Sequence, residues 1–495
     1  MTMWQIDMNR LCDVLTYDAQ QPMIFSSGLF LFLFLGFSLV YLLLKKTTTL
    51  RLLFVVLFSY YFYYKSSGTY FFLLAVVTLS DFTLARLMER TERKGARRAL
   101  LITSLCINLG LLCYFKYTNF FYEMLAPLWG GQFHALDIFL PVGISFFTFQ
   151  SLSYTLDVYR GELKALRNPL DYAFFVSFFP QLVAGPIVRA RDFIPQIRRP
   201  VVVTPEMFGR GVYFIAAGLF KKAILSDYIS VNFVERIFDN PGLYSGIENL
   251  FGVYGYALQI YCDFSGYSDM AIGLALLLGF HFPLNFRSPY KASSITEFWH
   301  RWHISLSTWL RDYLYISMGG NRRGKLRTYF NLFMTMLLGG LWHGASWNFV
   351  FWGAIHGIAL ALHKFWRSLL GRDKHYQSRG IRRVLGILLT FHLVCLCWIF
   401  FRNSTFEASW TMIHQIVANF QPQLFGQLVD GYKMVFAFMA VGFVLHFLPD
   451  RWEEACQRGV IRLPLVAQAL LLILIIYVVI QVKTSDIQPF IYFQF

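Results

Sequence analysis

Apolar segments follow one another along this chain from residue 24 to residue 482, with short polar gaps between them. Hydrophobic residues make up 56% of the chain and charged ones only 15%. A soluble fold cannot hide that much apolar surface, so the chain is expected to be an all-α polytopic membrane protein. Candidate segments are 24–44, 51–65, 69–87, 98–116, 138–157, 171–186, 207–226, 247–280, 329–342, 346–366, 383–401, 433–449 and 463–482. Several fall short of the ~20 residues that an upright span needs. Those at 171–186, 329–342 and 346–366 are expected to tilt, to span halfway or to re-enter. Non-helical backbone at membrane depth is tolerated only under a cover of protein or beside a water-filled cavity.

The net charge of +16 is concentrated in the gaps. Lys45, Lys46 and Arg51 bound one loop. Arg90, Arg93, Lys94, Arg97 and Arg98 crowd a second, and Arg189, Arg191, Arg198 and Arg199 a third. Arg322, Arg323, Lys325 and Arg327 follow a Gly-Gly pair. Lys364 to Arg383 and Arg451 to Arg462 are also basic. Cationic loops remain on the cytoplasmic side facing anionic lipid, so we place all of these there and read no nucleic-acid partner from the charge. The polar start, 402–432 and the tail after 483 are then expected outside. The first stretch, Met1 to Gln21, is too polar for a cleavable signal peptide. The expected organisation is a polar N-terminal segment at 1–22 and an integral domain at 23–402. A C-terminal loop with the last two transmembrane helices follows at 403–495. The functional core is expected at about 255–366, where Trp, His, Gly, Asp and Arg are dense. The seven cysteines lie mostly in apolar runs, contain no CxxC pair and suggest neither disulfides nor zinc.

Three constellations within that core suggest chemistry. The first is Tyr261 to Met270, where Asp263 and Asp269 enter an apolar helix beside Ser265 and Ser268. It reads either as a helix entry with polar interhelical bonds, or as carboxylates that line a site or hold a neighbouring Arg or His. The second runs from Glu297 to Tyr313. On a continuous helix Trp299, Trp302 and His303 would share a face, as an interfacial anchor does. His300 and His303 stand three apart, but no carboxylate accompanies them in a metal-binding arrangement, so no metal is expected. The third is Gly339-Gly340-Leu341-Trp342-His343-Gly344-Ala345-Ser346-Trp347, followed by Asn348, Trp352, His356 and His363. An ionisable side chain in so apolar a run is costly and reads as functional. Its tryptophans offer flat walls and its glycines permit close approach. The bland alternative for His343 is a buried neutral imidazole bonded to a carbonyl. For His356 and His363 we favour packing and interhelical bonds. No GxSxG elbow, P-loop, HExxH or GxGxxG occurs.

Taken together these blocks resemble the membrane-bound O-acyltransferase (MBOAT) family. The matching runs are Phe298 to Ser307 with Trp309 to Tyr313, Gly319 to Arg322, and Gly340 to Trp347. Cys262 to Asp269 is similar to the bacterial alginate O-acetyltransferase branch. Val142 to Gln150 and Gln181 to Ile187 add outlying matches, and the likeness spans about 23–402. It implies a ring of tilted transmembrane helices around a thin central core with short or re-entrant helices. It places the family's essential histidine on His343 and its second polar position on His303. It further implies an acyl donor arriving from the cytoplasm and an acceptor from outside. In the exporting members, acyl groups pass on to a polysaccharide-modifying, esterase-like partner outside the membrane.

The chemistry expected of these residues is simple. A thioester is already activated, so the protein must supply proximity and a base. His343 is expected to take the proton of an acceptor hydroxyl and to return it to the leaving thiolate. Burial favours the neutral imidazole this requires. His303 would orient donor or acceptor, or steady the oxyanion. Trp342, Asp312, Arg322, Asn348, Asp263 and Asp269 complete the expected substrate-binding set. Asp312 would bind an arginine brought near by the fold. Arg322, with Arg323, would meet the donor's phosphates, although topology explains that basic loop equally well. We therefore expect an O-acetyltransferase of the bacterial inner membrane with no bound cofactor. Its donor would be acetyl-CoA or an acyl carrier protein thioester, and it would serve an extracytoplasmic polysaccharide. D-alanyl transfer toward teichoic acid uses the same scaffold. A transporter or channel would string polar residues along several helices, whereas here they concentrate in one block. A catalytically dead scaffold is disfavoured by the intact His303 and His343.

Overall fold

The computed structural model describes residues 8–482 apart from 20, 131, 132, 374, 375 and 377. The N-terminal segment expected at 1–22 lies partly outside these residues, and the tail after 483 lies wholly outside them. Every described element is helical, as the apolar runs require. Among the described residues, four segments are long and apolar enough to cross a membrane: Thr48–Arg90, Lys94–Leu128, Trp347–Leu369 and Ile381–Arg402. A fifth span is available if the pair Pro422–Gly431 and Lys433–Phe447, bent by 98°, counts as one. The protein is a multi-pass membrane protein. The described chain falls into two compact units, residues 8–204 with 274–282, and residues 205–273 with 283–482.

The first unit is built on α1 (Gly28–Leu43), α2 (Thr48–Ser67), α3 (Phe71–Arg90), α4 (Lys94–Leu125) and α5 (Ile144–Arg160). Phe179 is fully buried among Phe37, Phe58 and Phe30 at 5.5, 5.1 and 6.1 Å. Asp81 on α3 is fully buried, and it accepts hydrogen bonds from Ser104 Oγ at 2.6 Å and Asn108 Nδ2 at 2.7 Å on α4. A buried carboxylate is tolerable only with such donors. The segment expected at 171–186 is broken into Pro169–Ser177 and Phe179–Leu182. Pro180 has no N–H to continue the ladder, so the first helix stops and Pro180 opens the next. Gly143 caps α5 in the left-handed region at φ 76°, and a Cβ there would stand 2.8 Å from the Leu182 carbonyl.

The second unit contains α6 (Pro205–Leu219), most of α7 (Gly246–Leu277), the short α8 (Ile295–Trp299) and α9 (Ile304–Trp309), α10 (Lys325–His343), α11 (Trp347–Leu369) and α12 (Ile381–Arg402). It ends with α13 (Phe406–Ala418), α14 (Lys433–Phe447), α15 (Asp450–Arg462) and α16 (Leu465–Val482). Paired glycines bring α6 and α7 together. A Cβ on Gly218 would meet the Gly266 carbonyl at 2.5 Å, and one on Gly273 would meet the Gly211 carbonyl at 2.7 Å. Helices this close cannot carry side chains at the crossing. Just beyond it, α6 continues as a π-helix over Phe220–Ser226, which carries Lys221 and Lys222.

Candidate active site

His343 is the last residue of α10, at the tip of a helical hairpin with α11. The hairpin closes because Gly340, Gly353 and Gly357 lie directly against the backbone of the opposite helix. A Cβ at Gly344 would enter the Phe349 ring, which fixes a glycine at the turn. His343 is 3% exposed. Trp342 and Trp352 stand edge-on to its ring at 5.0 Å each, and Phe401 from α12 at 5.2 Å. Three rings thus hold the imidazole in an apolar enclosure. Of the flat walls expected from the sequence, Trp342 and Trp352 are buried at 4% and 1%, while Trp347 points outward at 58%.

His303 arrives from a different element. The continuous amphipathic helix expected through Trp299, Trp302 and His303 does not form. Helix α8 ends at Trp299, and the chain turns through His300 to His303 before α9 begins. Trp302 N–H still donates to the Phe298 carbonyl at 2.8 Å, and bonds to a neighbouring segment hold the turn. Arg287 N–H donates to the Arg301 carbonyl and Ile304 N–H to the Asn285 carbonyl, both at 2.9 Å. His303 itself adopts a left-handed backbone at φ 41° and is completely buried. The tryptophans expected to anchor an interface are interior instead, with Trp302 at 1% and Trp299 and Trp309 at 7%. His303 packs on Phe264 of α7 at 4.6 Å and on Trp342 at 6.3 Å. Trp342 therefore contacts both expected catalytic histidines.

The aromatic lining continues from His343. Trp352 lies 4.5 Å from the ring of His356, whose Nδ1 accepts from Trp299 Nε1 at 3.3 Å. His356 is fully buried, and its Nε2 meets no hydrogen-bond partner among the described residues. Beyond Trp299 opens a cavity of about 670 Å³, lined by Trp299, Leu310, Thr335, Met336 and Leu360. It shares Thr296, His300, His363, Arg367 and Arg372 with a second cavity of about 1530 Å³. Thr296 Oγ1 and His363 Nδ1 are hydrogen-bonded at 2.8 Å where the two meet. The larger cavity is lined by Arg287, Arg301, Arg367, Arg372, Arg382 and Arg383 against one carboxylate, Glu297. Such a surface attracts polyanions, phosphates above all.

Several expected substrate residues are placed elsewhere. Arg322 lines neither cavity; the arginines of the larger one are Arg367 on α11, Arg372 after it, Arg382 and Arg383 on α12, and Arg287 and Arg301, and the sequence offered the 364–383 run only as topological charge. The aromatic enclosure of His343 reaches past residue 366, to Phe401. Asp312 pairs with its chain neighbour Arg311 at 2.6 Å. Asn348 is a structural tie, with Nδ2 donating to the Asn403 carbonyl at 2.7 Å. Asp263 and Asp269 hold lysines, Lys222 at 2.6 Å and Lys221 at 2.7 Å. Sequence reasoning missed these lysines, together with Asn285 and Phe401. The adjacent pair Lys221-Lys222 inside an apolar segment was the available signal.

The chain is similar to known proteins over these elements. Residues 162–401, which include both histidines and most of the cavity walls, match the model of the membrane-bound O-acyltransferase family, MBOAT. The probable alginate O-acetylase of Pseudomonas putida is 39% identical over 428 residues, 81% of this chain and 85% of that protein. The one from Pseudomonas aeruginosa is 44% identical over 324 residues, 65% of this chain but only 60% of the relative's length. The peptidoglycan O-acetyltransferase of Helicobacter pylori is 38% identical over 363 residues, 68% of each chain. Teichoic acid D-alanyltransferases are more distantly similar.

Proposed function

The chain belongs to the membrane-bound O-acyltransferase family, and from that premise we propose that it transfers an acetyl or other short acyl group from a cytoplasmic thioester, for O-acetylation of an extracytoplasmic polysaccharide or peptidoglycan. The observation that carries this reading is the enclosure of His343 by Trp342, Trp352 and Phe401, with His303 on the same indole. An imidazole so enclosed acts as a general base shielded from water. As the acceptor oxygen attacks the thioester carbonyl, His343 takes the hydroxyl proton. An oxygen–carbon bond forms and the carbon–sulfur bond breaks. His343 then returns the proton to the thiolate, so no acyl-enzyme is needed. His303 orients a substrate or steadies the developing oxyanion.

The donor route follows from the two cavities. We assign the phosphates of acetyl-CoA, or of a phosphopantetheine arm on an acyl carrier protein, to the arginine-lined cavity. The thin acyl arm runs through the apolar one, toward Trp299 and the histidines. The protein is proposed to work in the bacterial inner membrane and to hand its acyl groups to an extracytoplasmic esterase-like partner. D-alanyl transfer has only the more distant likeness in its favour.

Acetyl transfer from radiolabelled acetyl-CoA, by membranes carrying wild type, His343→Ala or His303→Ala at matched levels, tests the reading. Label reaching an extracytoplasmic product in wild type and lost in His343→Ala is the expected result. Undiminished transfer in His343→Ala would overturn the role of that residue.

A further inference from the structure

We infer that Asn285 is a positioning residue for the proposed transfer: it fixes His303 as the Nδ1–H tautomer, so that Nε2 serves as a hydrogen-bond acceptor toward substrate. The inference rests on the acyl-transfer reading and narrows the part His303 plays in it.

Asn285 is 1% exposed, and its amide is engaged on both sides. Its Oδ1 lies 3.2 Å from the Ser305 backbone nitrogen, 2.8 Å from Ser305 Oγ and 3.1 Å from His303 Nδ1. Its Nδ2 donates to Ser268 Oγ on α7 at 3.1 Å. The orientation of an amide is often ambiguous between oxygen and nitrogen. Here the Ser305 backbone N–H resolves it, because that group can only donate and must therefore face the oxygen. His303 Nδ1 faces the same oxygen, which can only accept. The proton of a neutral His303 is therefore on Nδ1, and Nε2 bears the lone pair.

The backbone enforces the arrangement. The Asn285 carbonyl accepts from Ile304 N–H at 2.9 Å, so one residue grips both the ring of His303 and the peptide that follows it. That grip sustains the left-handed conformation at φ 41°, which is unfavourable for a residue with a Cβ. Phe264 at 4.6 Å, edge-on, fixes the ring plane.

A consequence for the chemistry follows. An oxyanion needs a donor, and a neutral His303 in this tautomer offers none from Nε2. Its partner in substrate must be an O–H or N–H group: a neighbouring hydroxyl on a carbohydrate acceptor, or an amide of the thioester's arm. Proton transfer from the attacking hydroxyl then remains with His343.

The test is nitrogen NMR of the full-length protein in detergent, labelled with 15N-histidine, with the His303 signals assigned by their loss in His303→Gln. The expected spectrum shows a protonated Nδ1 and an unprotonated Nε2. In Asn285→Ala that preference is lost, and kcat falls about tenfold or more while the donor KM stays within about twofold. Asn285→Asp presents the same acceptor oxygen, so it retains the Nδ1–H signal and most of the activity. A protonated Nε2 in the neutral wild type overturns the inference, as does wild-type kcat in a folded Asn285→Ala. If Asn285→Ala does not fold, the wild-type spectrum and Asn285→Asp still decide. The spectrum needs no turnover. A chain with the expected tautomer and no acetyl transfer would count against the acyl-transfer reading alone.

Discussion

Lys222 lies 2.6 Å from Asp263 between α6 and α7, with their side chains only 2% and 3% exposed. The same ammonium lies 2.8 Å from Asp227. Taking one partner from a buried ion pair leaves a charge in low dielectric, at a cost of about 3–5 kcal/mol. Lys222→Met deprives two carboxylates of their cation, whereas Asp263→Asn leaves Lys222 paired with Asp227. Thermal unfolding in detergent should therefore rank Lys222→Met well below Asp263→Asn, and both below wild type. Combining Lys222→Met with Asp263→Leu should recover part of the loss. Equal melting of Lys222→Met and wild type would show that the pair contributes nothing.

The glycine crossing allows that pair to form. A Cβ on Gly266 would stand 2.8 Å from the Gly218 carbonyl and 3.1 Å from the Lys222 nitrogen. Both neighbours are backbone, so the helices must part. Gly266→Val should cost about 1–3 kcal/mol or more. Gly110 in α4 has open space around its Cβ position. There Gly110→Ala should stabilise by up to about 1 kcal/mol, because alanine is the better helix former. The two melting shifts should have opposite signs.

The helical spans were legible because lipid removes the alternatives, and each apolar run overlaps a helix. His343 and Trp342 stood out for the same reason, since an ionisable side chain amid Trp and Gly in such a run is expensive. What stayed hidden depends on contacts between residues distant in the chain. Asn285 reads as an ordinary loop residue until Ser305 and His303 are seen to fold over it. The break at His300 to His303 was masked by a pattern that suits an amphipathic helix, because hydrogen bonds to Asn285 and Arg287 override the periodicity. Arginines 367 to 383 carry the same sequence signature whether they face lipid headgroups or wall a cavity.

Trp342 is the shared wall of the two histidines, 5.0 Å from His343 and 6.3 Å from His303. Trp342→Ala opens a void between the rings and removes the wall that both share. Its kcat should fall by about a hundredfold, in line with the sensitivity of such sites to small misplacements, with little change in donor KM. Trp342→Phe retains a ring and should lose less. Steady-state kinetics at saturating donor separates the two. A drop confined to KM would mean that Trp342 binds donor rather than aligning the histidines.

The arginine cavity predicts the converse kinetic signature. Its six guanidinium groups face one glutamate, so a phosphate-bearing donor should be drawn in by charge. Arg382→Gln, Arg372→Gln and their combination should each raise KM for acetyl-CoA, the double variant most, with kcat nearly unchanged. Charge attraction is screened over about 8 Å at physiological salt, so the wild-type KM should also climb with ionic strength. That climb should be shallower in the double variant, because two of the six groups being screened are gone. Arg322→Gln is the control: it lines neither cavity and should leave both KM and its salt dependence as in wild type. If Arg322→Gln raises KM while the cavity variants do not, the donor enters where the sequence first suggested and the cavity serves another ligand.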